Sequence, residues 1–447
     1  MVKSSSQFVC QECGVRVNKW AGRCSSCGAW NSLVEELATI RDASLSASRG
    51  TKLEPTSIRK VVKSQETIRL TTNVNDVDTV LGGGFVSGSV NLIAGQPGIG
   101  KSTLLMQLSA QLSKKHTVLY VSGEESLEQI SLRASRITSK ADAIMLASST
   151  SSDDIAETIL SNNYKVVVVD SVQTISCSSV SSAPGSVSQI TNSTYLLTQA
   201  AKQANVTLIL VGHVTKEGSI AGPKLMEHLV DVVLNLEGDR YGGFKVLRAV
   251  KNRYGSTSEV GIFDMTDKGL LPVNNPSAVL LAERQIADGS IVLAAMEGTR
   301  PILVEVQALV NRTSFGYPKR AASGFDLNRL NLLSAVLTRR TKLDLSEYDV
   351  YINIVGGIRI TEPAADLAVC MAIASAAKGL KLKDDAVVFG EVGLSGEIRH
   401  VSNIEKRLKE AKQLGFNICI GPNTETRLSN LQSVSTLRDA LNIYLKS

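Results

Sequence analysis

The strongest constraint on the fold is a glycine-rich motif between an apolar run and a helical pattern. Residues 95–102 read GQPGIGKS, which matches G-x-x-x-x-G-K-[ST], and they follow the apolar run VNLIA. Leu105, Leu108 and Leu112 come next at helical spacing. A strand, a glycine-rich loop and a helix in this order turn backbone N–H groups toward phosphates at a helix N-terminus. The motif therefore predicts an α/β fold that binds ATP.

Each part of this loop has a predicted task. Its glycines let the backbone wrap around the phosphates, Lys101 reaches the β- and γ-phosphates, and the Ser102 hydroxyl ligates Mg²⁺. The predicted nucleotide-binding residues are Gly95, Gln96, Pro97, Gly98, Ile99, Gly100, Lys101, Ser102 and Thr103.

Polar side chains follow three other apolar runs. Asp170 ends KVVVVD, Glu124 and Glu125 follow TVLYVSG, and His213 follows VTLILVG. Because parallel strands end at one edge of a sheet, we expect these side chains beside the phosphates. Asp170 is predicted to hold Mg²⁺, one of the two glutamates to orient the attacking water, and His213 to sense the γ-phosphate. The alternatives are structural: a turn cap, a first-turn helix charge and an ordinary histidine.

The distribution of apolar runs divides the chain into four regions. Residues 1–35 hold a cysteine cluster, and residues 36–68 are rich in Ser, Thr, Lys and Arg and are predicted to be a linker. Residues 69–270 alternate apolar runs with helical patterns, which predicts a parallel sheet covered on both faces. Residues 271–447 are predicted to be a second, α+β domain. The globular composition, 43% hydrophobic and 20% charged, agrees with this organisation.

The cysteine cluster predicts a metal site. Two C-x2-C pairs lie ten residues apart, and such a cluster favours metal over disulfides where no export signal is recognised. Four thiolates suit tetrahedral zinc, and the same geometry accepts iron. The predicted ligands are Cys10, Cys13, Cys24 and Cys27. We expect a small core that contains Trp20 and Trp30. Three cations lie between the pairs and either touch phosphates or form a solvated face: Arg16, Lys19 and Arg23.

Charge and hydropathy restrict the partners. The net charge of +6 permits a nucleic-acid partner, whereas 4% aromatic residues disfavour a broad base-stacking platform. The longest apolar run, Leu367–Ala374, is too short to span a bilayer, and the first residues lack the apolar core of a secretory signal. The sequence therefore predicts a cytoplasmic protein without a membrane partner.

A basic pair follows the strand-like run FKVLRAV. Lys251 and Arg253 are two residues apart, so on a strand they point to the same face. Such a pair acts as an arginine finger on the ATP of a neighbouring subunit, or it binds DNA phosphates. The sequence leaves both roles open.

Six segments together resemble the bacterial RadA/Sms family of recombination proteins. They are the four-cysteine motif, LGGGFVSGSVNLIAGQPGIGKST, VVVVDSVQT, VGHVTKEG, KNRYG and GEVGLSGEIRHVSNIEKRLKEA, and they cover nearly the whole chain. The family usually has Phe where this chain has Tyr254, a change that keeps the ring. The resemblance implies a RecA-like ATPase core between a zinc finger and a Lon-protease-like domain, with ATP, Mg²⁺ and Zn²⁺ as cofactors.

The same resemblance implies a function. Members of the family are DNA-dependent ATPases that form hexameric rings, bind single-stranded DNA and promote branch migration of recombination intermediates. A RecA-type recombinase is the implied protein partner. Lys251 and Arg253 would then support ATP hydrolysis and DNA-coupled motion.

The resemblance to Lon protease stops at its catalytic residues. Ala364 occupies the serine position and Glu405 the lysine position, so the domain is expected to be proteolytically inactive. An ATP-dependent Lon-type protease is therefore the disfavoured alternative, and a signalling ATPase or zinc-ribbon adaptor is a third. Several basic residues of this domain are expected either to contact DNA or neighbouring subunits or to form a solvated face: Arg339, Arg340, Lys342, Arg399, Lys406 and Arg407.

Overall fold

The computed structural model describes residues 6–17, 19–37, 69–137, 143–213, 225–238, 243–314, 316–425 and 428–445. Most of the predicted linker (residues 38–68) lies outside the described residues. So do residues 214–224, a glycine-containing segment after His213 that includes Lys216 and Lys224, and the side chain of Arg16. The chain forms two compact units. One comprises Met1–Glu237, Leu247–Thr257 and Thr266–Leu270, and the other Gly238–Val246, Ser258–Met265 and Leu271–Ser447. The domain limits given above remain predictions.

The N-terminal ribbon is a three-stranded antiparallel sheet. Its strands are β1 Ser6–Cys10, β2 Arg16–Val17 and β3 Leu33–Leu37, in the order β2-β1-β3. Among the described residues its buried cluster consists of Cys10, Cys24 and Leu33. The expectation that Trp20 and Trp30 form the core is wrong, because both rings are exposed. So small an interior needs a metal to hold it together.

A large sheet forms the next part of the chain. Its strands, with a short hairpin before them, are β4 Arg69–Leu70, β5 Phe85–Val86, β6 Val90–Gly95, β7 Val118–Ser122, β8 Ile144–Ser148, β9 Val166–Asp170, β10 Thr207–His213, β11 Val232–Gly238, β12 Lys245–Asn252, β13 Val260–Thr266 and β14 Gly269–Pro272. The order is β14-β13-β12-β11-β6-β10-β9-β7-β8, and β4 pairs with β5. The six strands from β11 to β8 in this order are parallel. The predicted parallel sheet is confirmed.

Six helices accompany this sheet in the described residues. They are α1 Asn75–Leu81, α2 Lys101–Leu112, α3 Leu127–Ile137, α4 Ser152–Ser161, α5 Val187–Ala204 and α6 Leu225–Leu229. The side chains of Ser151 and Ser186 accept hydrogen bonds from the first turns of α4 and α5. A serine-rich segment, residues 176–189, leads into α5. Its end is helical, and Gln189 is buried and bonded to Cys177.

The second unit contains a seven-stranded sheet and a separate hairpin. The strands are β15 Ser290–Glu297, β16 Arg300–Arg312, β17 Arg320–Ser323, β18 Tyr348–Ile354, β19 Ala386–Val388, β20 Glu391–Val392, β21 Ile398–Arg399, β22 Ile418–Gly421 and β23 Leu431–Ser433. The sheet order is β17-β18-β16-β15-β19-β22-β23, and β20 pairs with β21.

The helices of the second unit are α7 Pro276–Leu281, α8 Leu327–Thr341, α9 Asp366–Lys378, α10 Ile404–Gln413 and α11 Leu437–Tyr444, and a 3₁₀ turn, Pro363–Ala365, precedes α9. Helix α9 is buried on all sides from Asp366 to Ser375, in agreement with its continuous apolar sequence. Throughout the described residues, every helix is too short or too polar to cross a membrane.

Candidate functional site

The phosphate loop is the turn that joins β6 to α2. The N–H of Ile99 donates to the carbonyl of Gln96 (3.3 Å), so the chain is already wound before the helix begins. Gly98 has a φ of 78°, which glycine adopts at little cost. A Cβ at Gly95 would lie 2.6 Å from the carbonyl oxygen of Leu236 on the neighbouring strand. Glycine is therefore required here by close packing of the sheet as well as by the loop.

Lys101 is held inside this loop. The side chain is buried, and its Nζ donates to the carbonyl oxygens of Gly95 (2.9 Å) and Gln96 (3.0 Å). Burial lowers the pKa of Lys101 to about 8, while the negative charges of Asp170 and Glu124 act in the opposite direction. The loop thus concentrates positive charge where a helix N-terminus and backbone N–H groups attract phosphate.

The strand register brings the predicted side chains to one edge of the sheet. Gly95 at the end of β6 pairs with His213 at the end of β10. Ser122 at the end of β7 pairs with Asp170 at the end of β9. These are the carboxyl ends of parallel strands, where open α/β sheets bind their ligands.

Asp170 is oriented by a tyrosine that the sequence did not single out. The carboxylate is buried, and its Oδ2 accepts a hydrogen bond of 2.6 Å from the hydroxyl of Tyr120 on β7. Burial raises the pKa of Tyr120 well above its ordinary value, and the charge of Asp170 adds to this effect. The phenol therefore remains a donor at neutral pH and fixes the direction of the carboxylate.

The two adjacent glutamates point to different partners. Oε1 of Glu124 accepts a hydrogen bond of 2.6 Å from the hydroxyl of Ser171 and lies 3.5 Å from Nε2 of His213. Oε1 of Glu125 instead lies 2.7 Å from a guanidinium nitrogen of Arg133 on α3. Glu124 therefore faces the carboxyl edge of the sheet, whereas Glu125 is occupied by an ion pair.

A line of polar groups connects the phosphate loop to Glu124. Nζ of Lys101 lies 3.1 Å from Nδ1 of His213. Because an ammonium only donates, Nδ1 is the acceptor, and the hydrogen of a neutral imidazole is then on Nε2, toward Glu124. The imidazole of His213 thus lies between the ammonium of Lys101 and the carboxylate of Glu124.

The four predicted metal ligands converge in the ribbon. The sulfur atoms of Cys10, Cys13, Cys24 and Cys27 all lie within 4.8 Å of one another. A tetrahedral ion with Zn–S bonds of about 2.3 Å separates its sulfurs by about 3.8 Å, so the cluster fits zinc. Both C-x2-C-G turns have the same hydrogen bond, from the N–H of Gly14 to Cys10 (2.8 Å) and from the N–H of Gly28 to Cys24 (2.9 Å).

Purified protein is expected to contain about one zinc per chain, and replacement of Cys24 and Cys27 by Ser to remove it. Two thiolates are too few for a closed structural site. Elemental analysis of protein prepared without chelators measures this directly. The buried Cys419, which lies in the second unit, provides a matched control: Cys419→Ser should retain the zinc. A parent protein without metal would contradict the assignment.

The basic pair lies at the other edge of the sheet. Nζ of Lys251 donates to the carbonyl of Val230 (2.9 Å), and the guanidinium of Arg253 lies 3.1 Å from the carboxylate of Asp231. The N–H of Asp231 bonds to the carbonyl of Val90, the first residue of β6. The pair therefore lies near the first residue of β6, at the end of that strand opposite the phosphate loop.

Comparison with known proteins identifies all three predicted parts. A family model described as AAA domain matches residues 59–219, one described as rubredoxin metal binding domain matches residues 8–35, and one described as subunit ChlI of Mg-chelatase matches residues 331–425. DNA repair protein RadA of Bacillus subtilis (strain 168) is 50% identical over 428 residues, 94% of this chain and 93% of that protein. DNA repair protein RadA of Aquifex aeolicus (strain VF5) is 45% identical over 448 residues, 99% of this chain and all of that protein.

The chain belongs to the RadA family of DNA repair proteins. The predicted resemblance and fold class are thereby confirmed: a zinc ribbon, an AAA-type ATPase with a large parallel sheet, and a Lon-like C-terminal domain.

In this RadA-family chain, two ion pairs flank the position of the Lon serine. Ala364 is buried on the 3₁₀ turn, and its carbonyl accepts a hydrogen bond of 2.7 Å from Gly390. On one side the guanidinium of Arg407 binds both carboxylate oxygens of Glu362, at 3.0 and 2.6 Å.

On the other side of that turn, Arg329 binds Asp366, and the N–H of Val392 bonds to the same carboxylate at 3.1 Å. Burial raises the pKa of Asp366, and the hydrogen bonds from Arg329 and Val392 oppose that effect. Paired charges thus occupy the surroundings of Ala364, and they hold the turn against β20.

The proposed DNA contact through Arg407 is wrong. Its side chain is fully buried, with its guanidinium over the ring of Phe389 and bonded to Glu362. The periodic charge pattern of α10 made it look like part of a solvated face. Lys406 is exposed, and its Nζ donates to the carbonyl of Thr299 (3.2 Å).

Proposed function

We propose that this chain is an ATP-dependent DNA motor of homologous recombination and repair. The observation that supports it best is the convergence of Lys101, Asp170 and Glu124 at the carboxyl edge of the parallel sheet. Membership of the RadA family adds the DNA side of the proposal, since the relatives are named DNA repair proteins. The reaction is hydrolysis of ATP, coupled to movement along single-stranded DNA and to branch migration.

The phosphate loop, residues 95–103, binds the nucleotide. Lys101 exchanges its bonds to the loop carbonyls for bonds to the β- and γ-phosphates, because anionic oxygens are stronger acceptors. The hydroxyl of Ser102 and the carboxylate of Asp170 are oxygen donors of the kind that Mg²⁺ prefers, and bound Mg²⁺ neutralises charge on the phosphates. Tyr120 keeps the Asp170 carboxylate in position for this task.

Glu124 orients the attacking water, and His213 senses the γ-phosphate. A phosphate that withdraws the ammonium of Lys101 removes the donor from Nδ1 of His213. The imidazole then turns toward the phosphate, and its contact with Glu124 changes. Glu125 is assigned a structural role, because Arg133 holds it against α3.

The partners follow from the family. They are single-stranded DNA, branched recombination intermediates, a RecA-type recombinase and further copies of the same chain in a homohexamer. The net charge of +6 suits a polyanionic partner. The ribbon, with zinc on its four cysteines, is a stably folded module attached to the ATPase.

Single-stranded DNA is expected to raise the steady-state rate of ATP hydrolysis several-fold at saturation. The matched control is double-stranded DNA of the same length, which should stimulate less. A phosphate-release assay at constant ionic strength measures the effect, since binding to nucleic acid depends on salt. A rate that is equal with and without DNA would favour the signalling ATPase or adaptor.

The protease alternative has no support at the two Lon positions. Ala364 has no nucleophilic oxygen, and Glu405 is an exposed carboxylate where the base would be. The paired charges around Ala364 are instead consistent with a structural domain.

A further inference from the structure

The zinc ribbon exposes two large aromatic rings. Trp20 is 59% exposed and Trp30 is 72% exposed. A Cβ at Gly22 would lie 3.9 Å from each ring, so the two indoles approach the same glycine. Large apolar side chains that cluster on a surface commonly mark an interaction site.

The two rings lie outside the buried core of the ribbon. Its described core is formed by Cys10, Cys24 and Leu33, with Phe8, Val15 and Val17 packed against it. Neither indole belongs to this cluster. Their exposure therefore points to a contact outside the ribbon.

Each of the two rings has a basic residue near it. The guanidinium carbon of Arg23 lies 5.8 Å from the ring centroid of Trp30, and its Nε donates to the carbonyl of Gly28 (2.8 Å). This bond holds the guanidinium beside the indole while the side chain stays exposed. Lys19, next to Trp20, is exposed as well.

We propose that Trp20, Trp30 and Arg23 form a binding site for the bases of single-stranded DNA. Every base has a π-face that stacks on an indole, and the cations attract the phosphates on either side. Two rings accommodate one or two bases, which is compatible with the low aromatic content of the chain. The inference rests on the proposed DNA partner, and it assigns part of the DNA-binding surface to the ribbon.

Tryptophan emission tests the proposal directly. Because Trp20 and Trp30 are the only tryptophans in the sequence, their emission reports on the ribbon alone. The full-length protein is titrated with a fluorescein-labelled short oligothymidylate in the presence of a non-hydrolysable ATP analogue. Anisotropy of the label measures binding, and emission excited at the indole band measures contact with the rings in a parallel titration with unlabelled DNA. Quenching that follows the binding curve is the expected result.

Variants separate stacking from charge. Trp30→Leu should weaken binding about tenfold and leave its salt dependence unchanged, since base stacking is lost without a phosphate contact. Trp30→Phe keeps a ring and should recover most of the affinity, whereas Arg23→Gln should reduce the salt dependence. Val34→Ser removes another exposed apolar side chain of the ribbon and should change neither property. Each variant is checked for zinc and for basal ATPase activity, which should both be normal.

The outcomes are distinguishable. Unchanged emission at DNA saturation, with normal affinity in Trp30→Leu, would overturn the stacking site and leave the proposed motor function intact. An absence of any anisotropy change would overturn the DNA partner and the site together. Emission that responds to a RecA-type recombinase but not to DNA would identify a protein contact and would also refute the inference.

Discussion

Lys101→Ala is expected to reduce ATP hydrolysis by at least about 100-fold, the scale of losing one well-placed charge donor in a catalytic site. In the proposed site, Lys101 is the cation that the phosphate loop supplies to the β- and γ-phosphates. Its Nζ is also the group that contacts His213, so its removal disconnects the loop from Glu124. A phosphate-release assay with saturating single-stranded DNA measures the loss.

The burial of Lys101 affects how this variant must be controlled. Only 4% of Lys101 is exposed, so the alanine leaves a gap beside the loop carbonyls. Lys101→Met fills that space without the charge and should be equally inactive. Lys114→Ala, an exposed lysine just beyond α2, should keep parental turnover. Near-normal hydrolysis by a Lys101→Ala protein with a parental melting temperature would refute the assignment.

The sequence predicted those features that local rules determine. A Walker-type loop requires a strand before it and a helix after it, and β6 and α2 have the expected places. Four valines before Asp170 predicted a strand buried on both faces, and Val166–Val169 are fully buried. Cysteine spacing identified the metal ligands because each C-x2-C pair forms a local turn.

Tertiary contacts determined the rest, and no local pattern contains them. The sequence does not distinguish Glu124 from Glu125, because their hydrogen-bond partners decide where each points. Ser171, the partner of Glu124, is 47 residues away in the chain, and Arg133, the partner of Glu125, is 8 residues away. In the sequence, Tyr120 is one residue of the apolar run TVLYV, which predicts a buried strand but no role for the hydroxyl. The signal that could have identified it is a hydroxyl in a fully buried strand, since such a group needs a partner.

The wrong predictions of which side chains are buried also arise from tertiary contacts. Arg407 lies on a strongly amphipathic, charged helix, and its carboxylate partner is 45 residues earlier in the chain. A buried arginine is tolerated only when it is paired, and Glu362 is the pair. Trp20 and Trp30 were assigned to the ribbon core because large aromatic residues usually are buried. The cluster of sulfurs and Leu33 already fills that interior.

Arg253→Ala is expected to bind ATP nearly normally and to lose hydrolysis about 10³-fold, as for other arginine fingers that act from a neighbouring chain. The N–H of Arg253 bonds to the carbonyl of Asp231, which is level with Val90 at the start of β6. Five residue steps along that strand place the phosphate loop about 17 Å away. Arg253 is therefore too distant for the ATP of its own chain, and the proposed finger role requires the ATP of a neighbouring chain.

The variant should fold. The side chain of Arg253 is 55% exposed, and Asp231 keeps its bonds to Lys202 and to the N–H of Val90. Because the buried carboxylate of Asp231 keeps these two partners, loss of the exposed Arg253 side chain does not leave that charge unpaired. The control is Arg248→Ala, which removes another arginine that pairs with a carboxylate, Glu237, on the same sheet, and which should leave hydrolysis unchanged.

A contact with DNA alone predicts a different profile. Arg253→Ala would then retain its basal rate, lose stimulation by DNA and bind DNA with a shallower salt dependence. That result would reject the finger and keep a phosphate contact. Unchanged hydrolysis and unchanged DNA affinity would reject both roles, and would leave Arg253 as the surface partner of Asp231.

Mixing two inactive variants decides whether the active site is shared between chains. A Lys101→Ala chain has an intact basic segment, and an Arg253→Ala chain has an intact phosphate loop. In a randomly mixed ring with head-to-tail contacts, about one interface in four combines the intact loop with the intact finger. Partial ATPase activity should therefore appear when the two proteins exchange subunits, although neither is active alone. A mixture that exchanges subunits and stays inactive would show that Arg253 does not complete a neighbour's site.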